Sequence, residues 1–188
     1  QIYGGHGYIR DHGIEQLVRD ARIAPIYEGT NGIQALDLVG RKMPMHTGRL
    51  LKSFFHVVKE YLEKNSFNYN LSEFIPPLVK SFGRLQQVTS FIASKGLNNP
   101  DEAAGPATDY LKMFSLVAIG YVWTQYAEIS FNKQNDDPED FYKAKIASGK
   151  YYMLKILPET GSIMSSILSG AKYYNDFDDK YFDSGFIL

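Results

Sequence analysis

The sequence of 188 residues predicts an all-α protein. Along most of the chain, apolar residues recur every three or four positions, which is the period of an amphipathic helix. No stretch alternates apolar and polar residues for long enough to form a sheet. Prolines and clusters of glycine and asparagine fall between the periodic segments, where they end helices.

The first helices are short and are interrupted by glycine and proline. Residues 1–13 contain four glycines, which predict a loop or a broken helix end. Apolar residues at helical spacing predict a helix over Ile14–Ile23, and Pro25 ends or kinks it. Thr30 is a suitable N-cap for a helix from Asn31 to about Lys42.

The rest of the chain predicts longer helices. Their expected ranges are about 47–64, 72–95, 107–132, 138–157 and 159–171. Pro76, Pro77 and Pro138 suit first-turn positions, where a missing amide costs least. Pro158 interrupts the fourth of these helices, and the polar, aromatic tail from Lys172 is expected to be loosely ordered.

Pro44 divides the predicted helices into two domains. Residues 1–45 are expected to form the end of one helical unit, and residues 46–188 a separate antiparallel bundle. The sequence begins with Gln rather than Met and lacks a signal pattern, so we expect the C-terminal piece of a longer, cytoplasmic protein. The longest uncharged run, Met113–Ala127, is too short to span a bilayer and predicts a buried core helix.

Composition excludes several classes of function. The formal net charge of −1 gives no global field that would recruit nucleic acid or an anionic membrane. The absence of cysteine excludes disulfides and thiol chemistry. His6 and His12, with Asp11, match no compact pattern of metal ligands, so we expect no metal site.

A single carboxylate, Glu28, lies in the hinge between the first two helices. It belongs to the second of two segments, "QIYGGHGY" at 1–8 and "RDARIAPIYEGTNGIQ" at 19–34. Taken alone, Glu28 is typical of a solvated loop acid and Tyr27 of a packing residue. Arg19, in the same segment as Asp20 and Arg22, fits an ion-pair network that fixes the helix against its neighbours better than it fits a phosphate site.

These segments resemble the C-terminal helical domain of flavin-dependent acyl-CoA dehydrogenases. That family has a Gly-Gly-x-Gly-aromatic loop, then Arg-Asp, then Tyr-Glu-Gly-Thr opening the next helix, in the order and spacing found here. The segment "DFYKAKIASGKYYMLKILPETGSIMSSILSGA" at 140–171 is similar to a helical extension found in a subset of these enzymes.

The resemblance implies FAD-dependent α,β-dehydrogenation of an acyl-CoA thioester. In the resemblance, Glu28 occupies the position of the catalytic base that removes the α-proton. The backbone amide of Glu28 occupies the position of a hydrogen-bond donor to the thioester oxygen. Tyr27 is then expected to line the acyl pocket, and Gly29 to allow close approach of the substrate.

The same resemblance places FAD contacts on two stretches. These are Gln1, Ile2, Tyr3, Gly4 and Gly5 in a loop that commonly meets the FAD of a neighbouring subunit, and Thr30, Asn31 and Gly32 at a helix start. Glycine at position 32 departs from the family, in which many members have a polar residue such as Gln there.

The family also implies partners. We expect a homodimer or homotetramer, an electron-transfer flavoprotein as electron acceptor, and no activity from this chain alone. Residues 46–188 are interpreted as an assembly module that buries helices against a partner subunit. A flavoprotein relative that binds DNA is the less favoured alternative, because these residues include 15 Lys and Arg against 16 Asp and Glu.

Overall fold

A computed structural model describes residues 1–136 and 139–183, and only the backbone at Glu28, Asp136, Asn175 and Asp183. This part of the chain is helical and contains no strand, which confirms the all-α prediction. Internal contacts divide the chain into two units, residues 1–34 and 35–188. Pro138, with its predicted place in a first turn, lies outside the described residues.

The first unit consists of short helical pieces. They are 3-10 helices at Gly4–Tyr8 and Arg10–His12, α1 at Glu15–Ala21, α2 at Ile23–Ile26, and a 3-10 turn at Glu28–Thr30. Helix α3, Asn31–Asp37, crosses the boundary into the second unit. The interruption predicted from Pro25 is confirmed: α1 ends at Ala21, whose carbonyl a proline four residues later would obstruct.

The second unit continues from α3 in longer helices. In chain order they are a π-helix at Leu38–Lys42, α4 at Met45–Lys64, a 3-10 turn at Tyr69–Leu71, α5 at Ile75–Gly96, α6 at Asp101–Ala104, α7 at Ala107–Lys133, a 3-10 turn at Gln134–Asp136, α8 at Phe141–Tyr151, a π-helix at Tyr152–Ile156, a 3-10 turn at Leu157–Glu159, α9 at Thr160–Leu168, α10 at Lys172–Asn175 and α11 at Lys180–Asp183.

The end of α9 differs from the prediction. Helix α9 was expected to reach Ala171 but ends at Leu168, because Gly170 adopts a left-handed conformation with φ of 72°. The described part of the tail from Lys172 contains two four-residue helices, α10 and α11, and the expectation that this tail is loosely ordered stays a prediction.

The start of α4 is irregular in a way that the sequence did not indicate. His46, Thr47 and Gly48 have φ of 51°, 58° and 76°, all in the left-handed region. Only glycine adopts that region without steric cost, so His46 and Thr47 are strained. Regular helical backbone therefore begins after Gly48, and not at Thr47 as predicted.

The core of the second unit forms around α5 and α7, against which α8 and α9 pack. Stacked rings of Phe54 and Phe114, 5.0 Å apart, join α4 to α7. The largest side chains with almost no exposure are Tyr110, Phe74, Leu71, Leu78, Leu85, Ile92, Met113, Met153, Leu157 and Ile167. Among the described residues, no helix combines the length and the apolar character needed to cross a membrane.

Candidate functional site

The first of the two segments predicted to contact FAD, Gln1–Gly5, is an exposed turn that leads into a 3-10 helix. The Gly4 amide donates to the Gln1 carbonyl at 3.0 Å, and Gly4 has a left-handed φ of 56°. Gly7 is buried, and a Cβ there would lie 3.3 Å from the Cβ of Tyr3. Gly4 and Gly7 are therefore required by the shape of the turn itself.

The segment that contains the predicted base follows α2 directly. The Tyr27 amide donates to the Ile23 carbonyl at 3.1 Å, and the Thr30 amide donates to the Tyr27 carbonyl at 3.3 Å. This tight turn holds the backbone of Glu28, whose side chain lies outside the described part of the structure. Tyr27 is about half exposed and available to line a pocket.

Glycines in both segments occupy open space. A Cβ built on Gly5, Gly29 or Gly32 meets no heavy atom within 4 Å, and none of the three has a left-handed φ. The fold of this chain therefore does not require glycine at these positions. Glycine there leaves room for another molecule to approach the backbone.

The remaining predicted contacts lie at the start of α3. Thr30 precedes this helix at the position expected for a cap, and Asn31 and Gly32 are its first two residues. The backbone hydrogen bonds given above stay within each segment. The structure thus places one predicted FAD-contacting stretch on the N-terminal turn and the other at the start of α3.

The charged residues of α1 pair within that helix. Arg19 lies 2.7 Å from Glu15, and Gln16 donates to Asp20 at 2.7 Å. These contacts stay within α1, and the predicted ion pairs to neighbouring helices stay a prediction. A small cavity of about 300 Å³ in the same unit is lined by Tyr8, Val18, Arg19 and Arg22.

The imidazoles of the first turn make ring contacts. The ring centroids of His6 and His12 are 5.7 Å apart, and those of Tyr3 and His12 are 5.6 Å apart. In the described part of the chain, no three His, Asp or Glu side chains are grouped so that they could hold a metal ion.

The first unit buries very little. Helices α1 and α2 contain no buried residue. Large apolar side chains that stay more than two-fifths exposed are Ile2, Tyr3, Tyr8, Ile9, Leu17, Val18, Ile23, Ile26, Tyr27 and Ile33. Because burial of apolar surface is the main force that fixes a fold, the described residues of this unit supply little of that stabilisation by themselves.

Comparison with known sequence families decides the identity. Residues 54–178 match the family described as acetyl-CoA dehydrogenase C-terminal like, and residues 1–43 match the acyl-CoA dehydrogenase C-terminal domain. The chain belongs to the acyl-CoA dehydrogenase family. The family matches thus include both predicted FAD-contacting segments and most of the helical extension.

Three relatives show how the acyl-CoA dehydrogenase chain aligns. A butyryl-CoA dehydrogenase of Syntrophomonas wolfei is 28% identical over 84% of this chain and 27% of its own length. A 3-methylmercaptopropionyl-CoA dehydrogenase of Ruegeria pomeroyi is 30% identical over 89% of the chain and 29% of its own length. A subunit of the caffeyl-CoA reductase-Etf complex of Acetobacterium woodii is 45% identical over 21% of the chain and 11% of its own length. The chain thus spans less than a third of these relatives.

Sequence reasoning missed a cavity of about 720 Å³ in the second unit of this acyl-CoA dehydrogenase chain. Its lining comes from the end of α3, the first π-helix, the start of α4, the end of α5, and α6. The apolar residues of these elements could equally well pack into a closed core. Their periodicity alone therefore did not predict the cavity.

Proposed function

We propose that the polypeptide containing this chain is an FAD-dependent acyl-CoA dehydrogenase that oxidises the α,β-bond of an acyl-CoA thioester, with Glu28 as the base. The observation that carries the proposal is the Tyr-Glu-Gly-Thr sequence on a tight turn, in a chain that belongs to this family. The names of the first relatives, both acyl-CoA dehydrogenases, support the same substrate class.

Glu28 would supply two functions from one position. Its carboxylate removes the α-proton, and its backbone amide donates to the thioester oxygen, where negative charge develops. A thioester α-proton is only weakly acidic, so the reaction needs both the base and the stabilised oxygen. FAD, when bound, accepts the hydride that leaves the β-carbon.

The backbone of the described residues leaves space for a bound flavin and a bound substrate. Gly5 and Gly32 lie in the two proposed FAD-contacting stretches, and both have free space where a Cβ would project. Gly29 has the same free space beside Glu28, on the side proposed for the substrate. In this assignment Tyr27 lines the acyl pocket and Thr30 and Asn31 contact FAD.

The chain alone is proposed to be inactive. It spans less than a third of its relatives, and the resemblance implies that the flavin ring and most of the CoA are held by upstream domains. We propose an electron-transfer flavoprotein as the acceptor, which the Etf complex in the name of one relative supports.

Anaerobic flavin absorbance of the intact protein tests this function. Saturated acyl-CoA thioesters of increasing chain length should bleach the flavin band, and the 188 residues alone should neither retain FAD nor oxidise the thioesters. An intact protein that carries FAD but is not reduced by any of these thioesters would overturn the proposed reaction.

A second role, in assembly, is favoured by an exposed stripe on α7. Ile119, Val122, Tyr126 and Ile129 are between 40% and 49% exposed, although the sequence predicted this segment as buried core. Their spacing of three and four residues places them on one face of the helix. We propose that residues 46–188 form a domain whose α7 stripe contacts a second subunit in a homodimer or homotetramer.

Light scattering of the intact protein tests the assembly role. Replacing Val122 with Lys and Ile129 with Asp should reduce the oligomer size. Asn132→Asp, an exposed change one turn beyond the stripe, serves as the matched control and should leave it unchanged. An unchanged oligomer in the doubly substituted protein would exclude this stripe as the contact.

A further inference from the structure

The cavity of the second unit has the size and lining of a small-molecule site. Its volume of about 720 Å³ falls within the range of roughly 300–1,000 Å³ that is typical of ligand pockets. The floor is formed by side chains that are almost fully buried, Val39, Met43 and Ile92. Small residues of α5 and α6, Ala93, Ala103 and Ala104, also line the cavity and occupy little of its space.

Irregular backbone shapes this cavity. The left-handed Thr47 and Gly48 line it, as do residues of the π-helix Leu38–Lys42. The turn is held by the Gly48 amide, which donates to the Pro44 carbonyl at 3.2 Å. Strained backbone and π-helical turns are enriched at ligand sites, so the cavity is more than a gap between regular helices.

One charge lines the cavity. Lys52 is the only charged residue among its lining residues, and its Cε lies 3.8 Å from the position of a Cβ on Gly48. Lys52 forms no ion pair among the residues that the structure describes. A smaller neighbouring cavity differs, because its cations Arg41 and Lys42 are both paired with Asp37.

We propose that this cavity binds a free long-chain carboxylate, with the alkyl chain on the apolar floor and the carboxylate paired with Lys52. An apolar interior with a single cation at its edge complements an amphiphile with one tail and one negative charge. A single lysine supplies one point charge, which one carboxylate can pair with. This site is separate from the Glu28 segment and does not depend on the proposed dehydrogenation.

Displacement of a fluorescent polyene fatty acid by palmitate tests the proposal on this chain. We expect stoichiometric binding of palmitate, with affinity falling about fourfold for each methylene removed from the ligand. Lys52→Glu should weaken palmitate at least about tenfold, equivalent to about 1.4 kcal/mol. Lys59→Glu, on the same helix but outside the cavity, is the matched control and should bind as the wild type does.

Two further measurements test the charge preference and the location of the proposed site. Hexadecyltrimethylammonium, which has a long tail and the opposite charge, should bind more weakly than palmitate to the wild type and gain affinity in Lys52→Glu. Ala104→Cys introduces a thiol into a chain without cysteine, and palmitate should protect it from alkylation in both this chain and the intact protein.

Three binding results would overturn the proposal. They are no palmitate binding by a folded chain, binding that is unaffected by Lys52→Glu, and equal affinity for the cationic amphiphile. A thiol at position 104 that resists alkylation in the intact protein without palmitate would also overturn it, because another part of the protein would then occupy the groove.

Discussion

The hydroxyl oxygens of Thr89 on α5 and Tyr110 on α7 lie 2.8 Å apart in the core of the second unit. The Thr89 hydroxyl also lies 2.7 Å from the Leu85 carbonyl, which can only accept. Since Thr89 has one proton and donates it to Leu85, the hydrogen between the two side chains belongs to Tyr110. This hydrogen bond links α5 and α7, and its direction predicts which of two substitutions lowers the free energy of unfolding more.

Thr89→Val should destabilise the chain more than Tyr110→Phe. The valine leaves the Tyr110 hydroxyl buried without an acceptor, at a cost of about 1–3 kcal/mol. The phenylalanine removes only the donor, and Thr89 keeps its bond to Leu85, so the cost should be about 0.5–1.5 kcal/mol. Urea unfolding measures both free energies. The reverse order would contradict the assigned direction of the hydrogen bond.

Alkaline pH should reduce the stability of the second unit. Burial raises the pKa of Tyr110 to about 12, and burial together with the charge of Glu159 raises the pKa of Tyr152 to about 12. An unfolded tyrosine ionises near pH 10, so between about pH 10 and 12 the folded state binds more protons. The free energy of unfolding should therefore fall as pH rises, by about 1.4 kcal/mol per pH unit for each tyrosine.

Tyr110→Phe isolates one of these contributions. The loss of stability in this variant should be constant below pH 10 and should shrink above it, because only the wild type continues to lose stability at residue 110. Urea unfolding of both proteins from pH 8 to 11 provides the measurement. A difference that stays constant across this range would contradict the raised pKa of Tyr110.

Gly149→Ala should destabilise the packing of α8 on the core. A Cβ there would lie 2.8 Å from Cε1 of Phe74, which is fully buried, and 3.3 Å from Cε3 of Trp123. Overpacking of this kind costs about 1–3 kcal/mol and outweighs the better helix propensity of alanine. Gly83→Ala on α5 is the matched control, since its Cβ would meet nothing within 4 Å.

In that control, alanine should stabilise the chain by about 0.5–1 kcal/mol. Thermal unfolding followed by circular dichroism distinguishes the two substitutions. Equal effects of Gly83→Ala and Gly149→Ala would show that the contact with Phe74 does not limit the space at position 149.

Gly29→Ala should weaken substrate binding in the intact protein without lowering the stability of this chain. The position has free space and ordinary backbone, so the stability of this chain should stay within about 0.5 kcal/mol of the wild type. In the intact protein the new methyl group should weaken the binding of a substrate analogue, because it fills space proposed for the thioester. Unchanged analogue binding would place the substrate elsewhere.

The sequence predicted the structural features that depend on residues close together in the chain. Prolines at 76 and 77 marked the start of α5, and they occupy its first turn as expected. The Tyr-Glu-Gly-Thr segment indicated the family because its residue types and spacing extend over two separated stretches. Helix period, capping and motif order are all carried by neighbouring residues, so they are visible without the fold.

Features that depend on distant residues were not predictable. Helix α7 is apolar on all sides, so periodicity could not tell its buried face from the exposed one that carries Ile119 and Val122. The left-handed His46 and Thr47 contradict the local preference of non-glycine residues, so no sequence pattern pointed to them. The division after residue 45 and the roles of the site residues stay predictions.

The measurement that tests the central claim most directly is the rate of flavin reduction in Glu28→Gln, made in the intact protein. Glutamine preserves size and the backbone amide but cannot accept the α-proton. Glu60→Gln, on the exposed surface of α4, is the control. We expect Glu28→Gln to retain FAD and bind acyl-CoA while flavin reduction slows by roughly 10²–10⁴-fold. A wild-type rate of reduction in this variant would contradict the assignment of Glu28 as the base.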